Sequence, residues 1–268
     1  MAAVSAAVLL VVVLASPSVA AGRATSFDNP IWAGYGVYGL SRSGLEGTSV
    51  RAWVRGSWTV PEVTCPPFVV SAVSMWVGLS GTAEDGEPGA PLEQIATTSR
   101  CDGFGHAQYS AQYQMVNTEQ WTGTSRDLGD QSGNPFPVDP GDVMIGSVLY
   151  GGDGRYDFNL RNDTKASLFS TSEQGSQRAA AYDAGLWIVE APTEGVVRPL
   201  AEYDSATFRG CFSHLGPISS ERHTGIVRFE LSKPSFSNLS KASPTDYQES
   251  EVYGTAAVGS DFSVTRHG

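Results

Sequence analysis

The sequence has 268 residues, of which 41% are hydrophobic and 10% aromatic, and its formal net charge is -11. This length is sufficient for the core of one sizeable domain or at most two small ones, and no Gly- or Pro-rich cluster marks a linker. The acidic balance argues against binding to nucleic acid or to an anionic membrane.

The N-terminal segment MAAVSAAVLLVVVLASPSVAAG combines a short apolar run with small residues. The run from about Ala6 to Leu14 is shorter than the roughly 20 residues that a membrane span requires. The sequence at 18–20, Ser-Val-Ala, fits the small-x-small pattern of a cleavage site. We therefore expect a signal peptide at residues 1–21, not a membrane anchor, and a secreted single domain at residues 22–268.

Short β-strand patterns fill the rest of the chain. In VRAWVRGSWTVP, apolar residues at every second position from Val50 to Val60 alternate with mostly polar ones, which is typical of a half-buried strand ending at Pro61. Further short runs are SMWVGL, PLEQIA, AQYSAQYQMV, DVMIGSVLY, YDFNLRN, GLWIVE, ATFRGCF, GIVRFEL and DFSVTRHG. No long segment has a helical period, so the sequence predicts an all-β sandwich or barrel.

Three cysteines allow one disulfide and one extra thiol, or no disulfide at all. Cys65 and Cys101 flank one central segment, and we expect them to pair in a secreted protein. Cys211 is then expected to be a buried thiol. Because no C-x-x-C motif or closely spaced histidine pair accompanies them, we expect no metal site.

The run GLWIVEAP raises the question of catalysis. Four large apolar residues, Leu186 to Val189, predict a strand buried on both faces, yet the strand ends in the acid Glu190. The sequence contains no G-x-S-x-G motif, no P-loop and no H-E-x-x-H motif. Any hydrolytic chemistry would therefore have to use carboxylates and amides.

Taken together and in order, these segments resemble the glutamic peptidases (eqolisins). The matching pieces are WAGYGV (32–37), GSWTVPEVTC (56–65), SMWVGLSG (74–81), PLEQIATTSRC (91–101), AQYSAQYQM (107–115), LWIVEAP (186–192) and FSVT (262–265). The resemblance implies a lectin-like (concanavalin A-like) sandwich of two antiparallel sheets. It also implies a secreted acid endopeptidase that acts on polypeptides without a cofactor, and we expect a monomer.

The resemblance implies a catalytic glutamine at Gln94, in LEQI, and a catalytic glutamate at Glu190, at the end of WIVE. Strand alternation places Leu92 and Ala96 on the same side as Gln94, and Glu93 on the other side. The residues expected to contact the substrate are Trp32, Trp76, Gln112 and Gln114. The last two belong to a polar row, Ser110-Gln112-Gln114, that alternation predicts on the cleft side of its strand.

Several positions depart from the family pattern. Ser80 stands where the family usually has Asp, and Leu186 replaces another frequent acid. Gln112, Gln114 and Val116 stand where the family has Trp, Glu and Tyr. Asn29 is separated from Trp32 by Pro30 and Ile31, whereas the family usually has Asn and Trp together. Because the substitutions at Gln112, Gln114 and Val116 lie near the expected cleft, a non-catalytic module that binds peptide or glycan is the alternative function. A glycosidase is a third, but it needs a second acid across the cleft from Glu190.

The implied pair can hydrolyse an amide. An ionised Glu190 takes a proton from water and then gives it to the leaving nitrogen. Gln94 donates an N–H to the developing oxyanion, a contribution of roughly 3 kcal/mol. Because an ordinary Glu titrates near about 4.3, both roles predict activity in mildly acidic solution.

Overall fold

The computed structural model describes residues 25–38, 51–80, 92–116, 125–129, 133–151, 154–175, 184–194, 196–216, 225–231, 241–245, 248–250 and 259–267. The expected signal peptide lies outside these ranges. Within them the regular secondary structure is β, as predicted, and no helix there is long and apolar enough to span a membrane.

The strands have the following bounds: β1 Thr25–Asn29, β2 Trp32–Tyr38, β3 Arg51–Thr59, β4 Val70–Ser80, β5 Leu92–Asp102, β6 Ala107–Val116, β7 Arg126–Asp127, β8 Val143–Tyr150, β9 Arg155–Asn162, β10 Ser167–Gln174, β11 Ala184–Glu190, β12 Thr193–Glu194, β13 Val196–Val197, β14 Ser205–Gly216, β15 Gly225–Leu231, β16 Lys241–Pro244, β17 Gln248–Ser250 and β18 Gly259–His267.

The strands pack as two layers. One layer has the order β10-β9-β8-β3-β14-β18, and the other has the order β15-β2-β11-β4-β5-β6-β7. Strands β4 and β11 lie against β3, β8 and β14 across the interior. The predicted sandwich is confirmed, with two details that the sequence did not reveal. Strand β16 pairs with both β15 and β18 and so joins the layers at one edge, and β1 pairs with β15 in parallel.

Large aromatic side chains fill the space between the layers. Trp58 on β3 and Trp187 on β11 are each at most 2% exposed. A Cβ atom at Gly56 would lie 2.8 Å from the Trp187 ring, and one at Gly146 would lie 2.7 Å from the Trp58 ring. Glycine is therefore needed at both positions because the indoles occupy the volume that a larger residue would use. This packing fixes β11 against the opposite layer.

Cys65 and Cys101 form a disulfide, as expected, with their Cα atoms 5.3 Å apart. It ties the loop that follows β3 to the end of β5. Cys211 is a free, buried thiol whose pKa is raised by burial.

A polar cluster closes the end of the first layer, where β8 begins and β9 ends. Asp142, only 4% exposed, accepts hydrogen bonds from Lys165 Nζ at 2.8 Å and from Asn162 Nδ2 at 2.7 Å. Asn162 is fully buried and its Nδ2 also donates to the carbonyl oxygen of Pro137 at 3.0 Å. Burial by itself would raise the pKa of Asp142, but these donors and the backbone N–H of Asp139 bring it below the ordinary value.

Candidate active site

Strand β11 carries Glu190 to the surface of the second layer. It is flanked by β2 and β4, and its residues from Ala184 to Val189 are buried, as the apolar run predicted. Leu186 and Ile188 pack with Trp76 on the outer face of the layer. Because side chains alternate along a strand, Glu190 emerges on that same face, opposite Ser74 of β4.

The outer face of β4, β5, β6 and the end of β11 forms a cleft of about 610 Å³. Both residues expected to be catalytic border this cleft, Gln94 from β5 and Glu190 from β11. The other lining residues are Trp32, Ser74, Trp76, Leu92, Ala96, Thr98, Arg100, Gln108, Tyr109, Ser110, Gln112, Gln114, Val116, Ser125, Asp127, Pro192 and Thr193.

The carboxyl group of Glu190 lies against two indoles. Trp76 Nε1 donates to Glu190 Oε2 at 2.7 Å, and the Trp32 ring packs edge-on against Trp76 with 5.3 Å between ring centroids. Burial against these rings raises the pKa of Glu190 to about 7, although hydrogen bonding from the Trp76 and Trp32 indoles acts in the opposite direction. An acid with this pKa has both protonation states populated in near-neutral and mildly acidic water.

Gln94 is buried, with 7% of its surface exposed. Its Nε2 donates to Gln114 Oε1 at 2.7 Å, across the β5–β6 ladder where the two residues face each other. Its Oε1 is buried and has no hydrogen-bond partner among the described residues. A buried carbonyl oxygen without a partner is costly, so the cleft holds an acceptor ready for an added donor.

The strand register defines how the two residues are spaced. Gln94 faces Gly78 of β4, whereas Glu190 faces Ser74, so one row of side chains, Trp76 and Ala96, lies between them. A Cβ atom at Gly78 would lie 3.2 Å from the Gln94 Cβ, so glycine leaves room beside the amide. The Trp76–Ala96 row thus forms the floor of the cleft between the amide and the carboxyl group.

The four residues expected to contact substrate occupy different positions. Gln112 and Gln114 are half-buried on the cleft side of β6, where alternation predicted them, and Trp32 is half-buried at the rim. Trp76 is fully buried, and its indole N–H is committed to Glu190. Trp76 therefore lines the floor of the cleft and at the same time holds the Glu190 carboxyl group.

Two charged residues in the cleft were not singled out by sequence analysis. Arg100 belongs to the same alternating set of β5 as Gln94 and lines the cleft two residues beyond Thr98, so alternation could have found it. Asp127 lies on β7 opposite Gln112, and no sequence pattern indicated this pairing. Among the residues that the structure describes, no group of three or more His, Cys, Asp or Glu side chains is arranged to hold a metal ion.

The chain is similar to known proteins in both sequence and fold. The sequence profile of the Peptidase A4 family matches residues 32–261. The chain is similar to scytalido-glutamic peptidase solved with a transition state analog inhibitor, with 17% identity, a TM-score of 0.57, and coverage of 89% of this chain and 98% of that one. A second structure of scytalido-glutamic peptidase, with a peptide-based transition state analog, has 16% identity, a TM-score of 0.53 and the same coverage of 89% and 98%. A search of curated proteins found no match.

Proposed function

The chain belongs to the Peptidase A4 family, and on this basis we propose that it is a secreted glutamic endopeptidase that cleaves polypeptides in mildly acidic solution without a cofactor. The proposal rests on the observation that Gln94 and Glu190 border the same cleft. The fold of the similar solved peptidases and the raised pKa of Glu190 support it.

In the proposed reaction the scissile peptide lies over the Trp76–Ala96 row. Ionised Glu190 removes a proton from a water molecule, whose oxygen attacks the carbonyl carbon of the peptide. The second N–H of Gln94 Nε2 donates to the oxyanion while the first stays bound to Gln114. Protonated Glu190 then gives its proton to the leaving nitrogen as the C–N bond breaks.

The pKa of Glu190 sets two opposing pH dependences. The base form becomes more abundant as the pH rises towards about 7. Ionising Glu190 costs the folded protein stability, however, so the contribution of this residue to stability is greatest below the ordinary pKa of 4.5 and decreases as the pH rises to about 7. A working range between these values satisfies both requirements, which supports mildly acidic conditions.

Secretion remains part of the proposal. The Cys65–Cys101 disulfide suits an oxidising compartment, and the apolar N-terminal run suits a signal peptide at residues 1–21. We further propose that residues 22–268 act as one domain and as a monomer.

The test is cleavage of a denatured protein at pH 3.5, 5.5 and 7, with EDTA present. Glu190→Gln and Gln94→Ala should each lower kcat/KM by about 10³-fold while leaving the circular dichroism spectrum unchanged. The matched control is Glu202→Gln, because Glu202 is an exposed carboxylate that does not line the cleft.

Full activity in Glu190→Gln would exclude the proposed mechanism, and loss of wild-type activity in EDTA would point to a metal instead. A folded wild-type protein that binds the denatured substrate without cutting it would favour the peptide-binding module.

A further inference from the structure

Two phenylalanine side chains are exposed to solvent next to the ends of β4 and β5, beyond the Arg100 end of the cleft. Phe68, in the loop before β4, is 97% exposed, and Phe104, in the turn between β5 and β6, is 83% exposed. Val70, the first residue of β4, is a third exposed apolar residue in this region and is 40% exposed. Exposed apolar side chains on neighbouring segments mark an interaction surface more often than isolated ones do.

The two loops that carry these side chains are fixed to each other. The backbone N–H of Phe68 donates to the carbonyl oxygen of Gly103 at 2.7 Å, and the Cys65–Cys101 disulfide joins the same two segments. The backbone N–H of Phe104 donates to Asp102 Oδ1 at 2.7 Å. The aromatic pair is therefore presented on a braced backbone, which lowers the entropy cost of binding a partner.

The backbone of Phe68 also adopts a conformation that is unfavourable for a phenylalanine. Its φ is 67°, in the left-handed region that Gly, Asn and Asp adopt far more readily than a bulky aromatic residue. A phenylalanine at such a position, with its side chain almost completely in solvent, contributes little to folding. This combination indicates a binding role.

Strand β5 connects the cleft to this surface. Thr98 and Arg100 line the cleft, and the next residue on the same face of β5 is Asp102, which faces Val70 of β4. Val70 lies six residues from Trp76 along β4, a distance of about 20 Å at the usual strand rise. An extended peptide centred over Trp76 would cover that distance with about six residues.

We infer that Phe68 and Phe104 form an accessory site for the substrate chain itself, in which an apolar side chain of an unfolded polypeptide packs about six residues from the scissile bond. This inference rests on the proposed function. A second copy of the protein is a poorer occupant, because two phenylalanines offer roughly 400 Å² against the roughly 800 Å² per partner of a stable interface. The net charge of -11 also opposes self-association and adhesion to an anionic membrane.

The test compares peptides that share one scissile sequence. The short peptide has about eight residues. Two long peptides extend about ten residues to each side of the scissile bond. One of them carries a phenylalanine about six residues from that bond, and the other carries a serine there. The variant combines Phe68→Asn, which suits the left-handed backbone, with Phe104→Ser. Leu168→Asn is the matched control, since Leu168 is 70% exposed on β10 in the other layer.

The double variant should lower kcat/KM about tenfold for the long phenylalanine peptide and leave the short and the serine peptides unchanged. The control should cut all of them normally. Equal losses for all peptides, no loss at all, or the same loss in Leu168→Asn would overturn the inference.

A change of oligomeric state in the double variant would assign the surface to a second copy of the protein instead. If the double variant loses binding to neutral lipid vesicles but still binds the peptides, the surface would be assigned to a membrane. If the wild-type protein cuts no peptide, the proposed function fails on its own. Fluorescence anisotropy of the labelled long phenylalanine peptide then measures its binding to each protein. The accessory site is supported if only the double variant loses this binding, and it is overturned if the double variant binds the peptide as the wild type does.

Discussion

Asp142 and Glu190 both lie in packed surroundings, but these surroundings shift their pKa values in opposite directions. Asp142 accepts hydrogen bonds from Lys165, Asn162 and a backbone N–H, and its pKa is lowered despite burial. Glu190 lies beside two indoles, and burial against them raises its pKa to about 7. A carboxylate surrounded by donors stays charged and holds structure together, whereas one that lies against aromatic rings can exchange a proton.

The largest effect is expected from removing the satisfied carboxylate. Asp142→Ala removes the buried acceptor of three hydrogen bonds, from Lys165, Asn162 and the Asp139 N–H, and should lower the free energy of unfolding by about 4 kcal/mol. Asp139→Ala is the control, because Asp139 binds the same lysine at 2.6 Å but its side chain is 70% exposed. It should cost less than about 1 kcal/mol. Urea unfolding at pH 7 measures both, and equal costs would contradict the comparison.

Glu190→Gln should change how stability depends on pH. In the wild type the folded pKa of Glu190 lies above the ordinary 4.5, so this residue lowers the free energy of unfolding as the pH rises from 4.5 to about 7. The total decrease is about 3 kcal/mol, which the variant should not show. Urea unfolding at pH 4.5, 5.5, 6.5 and 7.5 tests this. Parallel pH profiles for the two proteins would show that Glu190 is not desolvated in the folded state.

Trp76→Phe removes the indole donor from Glu190 and should raise the pKa of Glu190 further. The acidic limb of the kcat/KM profile should move up by about one pH unit, with about tenfold lower activity at pH 5.5. Trp58→Phe is matched to it, because Trp58 is equally buried but donates to Thr97 instead. If both variants shift the profile equally, the effect comes from packing and not from the hydrogen bond.

Gln114→Leu removes the acceptor that holds Gln94 Nε2. It should lower kcat roughly fivefold with little change in KM, because the amide loses the partner that orients it. Gln112→Leu, on the same face of β6, should instead raise KM if Gln112 contacts substrate. The two variants therefore separate orientation of the Gln94 amide from substrate binding. A change in KM alone for Gln114→Leu would assign Gln114 to substrate binding.

Local pattern revealed much of this architecture, because alternation depends only on neighbouring residues. It placed Gln94 and the Gln112–Gln114 row on one face, and it identified β11 as a strand buried on both sides. It did not reveal the contact between Trp76 and Glu190, which are 114 residues apart and meet only through the β4–β11 register. For the same reason the sequence suggested an ordinary pKa for Glu190, since the desolvation comes from distant parts of the chain.

The burial of Asn162 has a consequence for glycosylation of the chain. Residues 162–164 read Asn-Asp-Thr, the acceptor sequence for N-linked glycosylation. In the folded protein Nδ2 of this asparagine is occupied by the Pro137 carbonyl and the Asp142 carboxylate, and its side chain has no exposed surface. An oligosaccharide attached there would displace both hydrogen bonds, so in a glycosylating host folding closes this acceptor to sugar transfer.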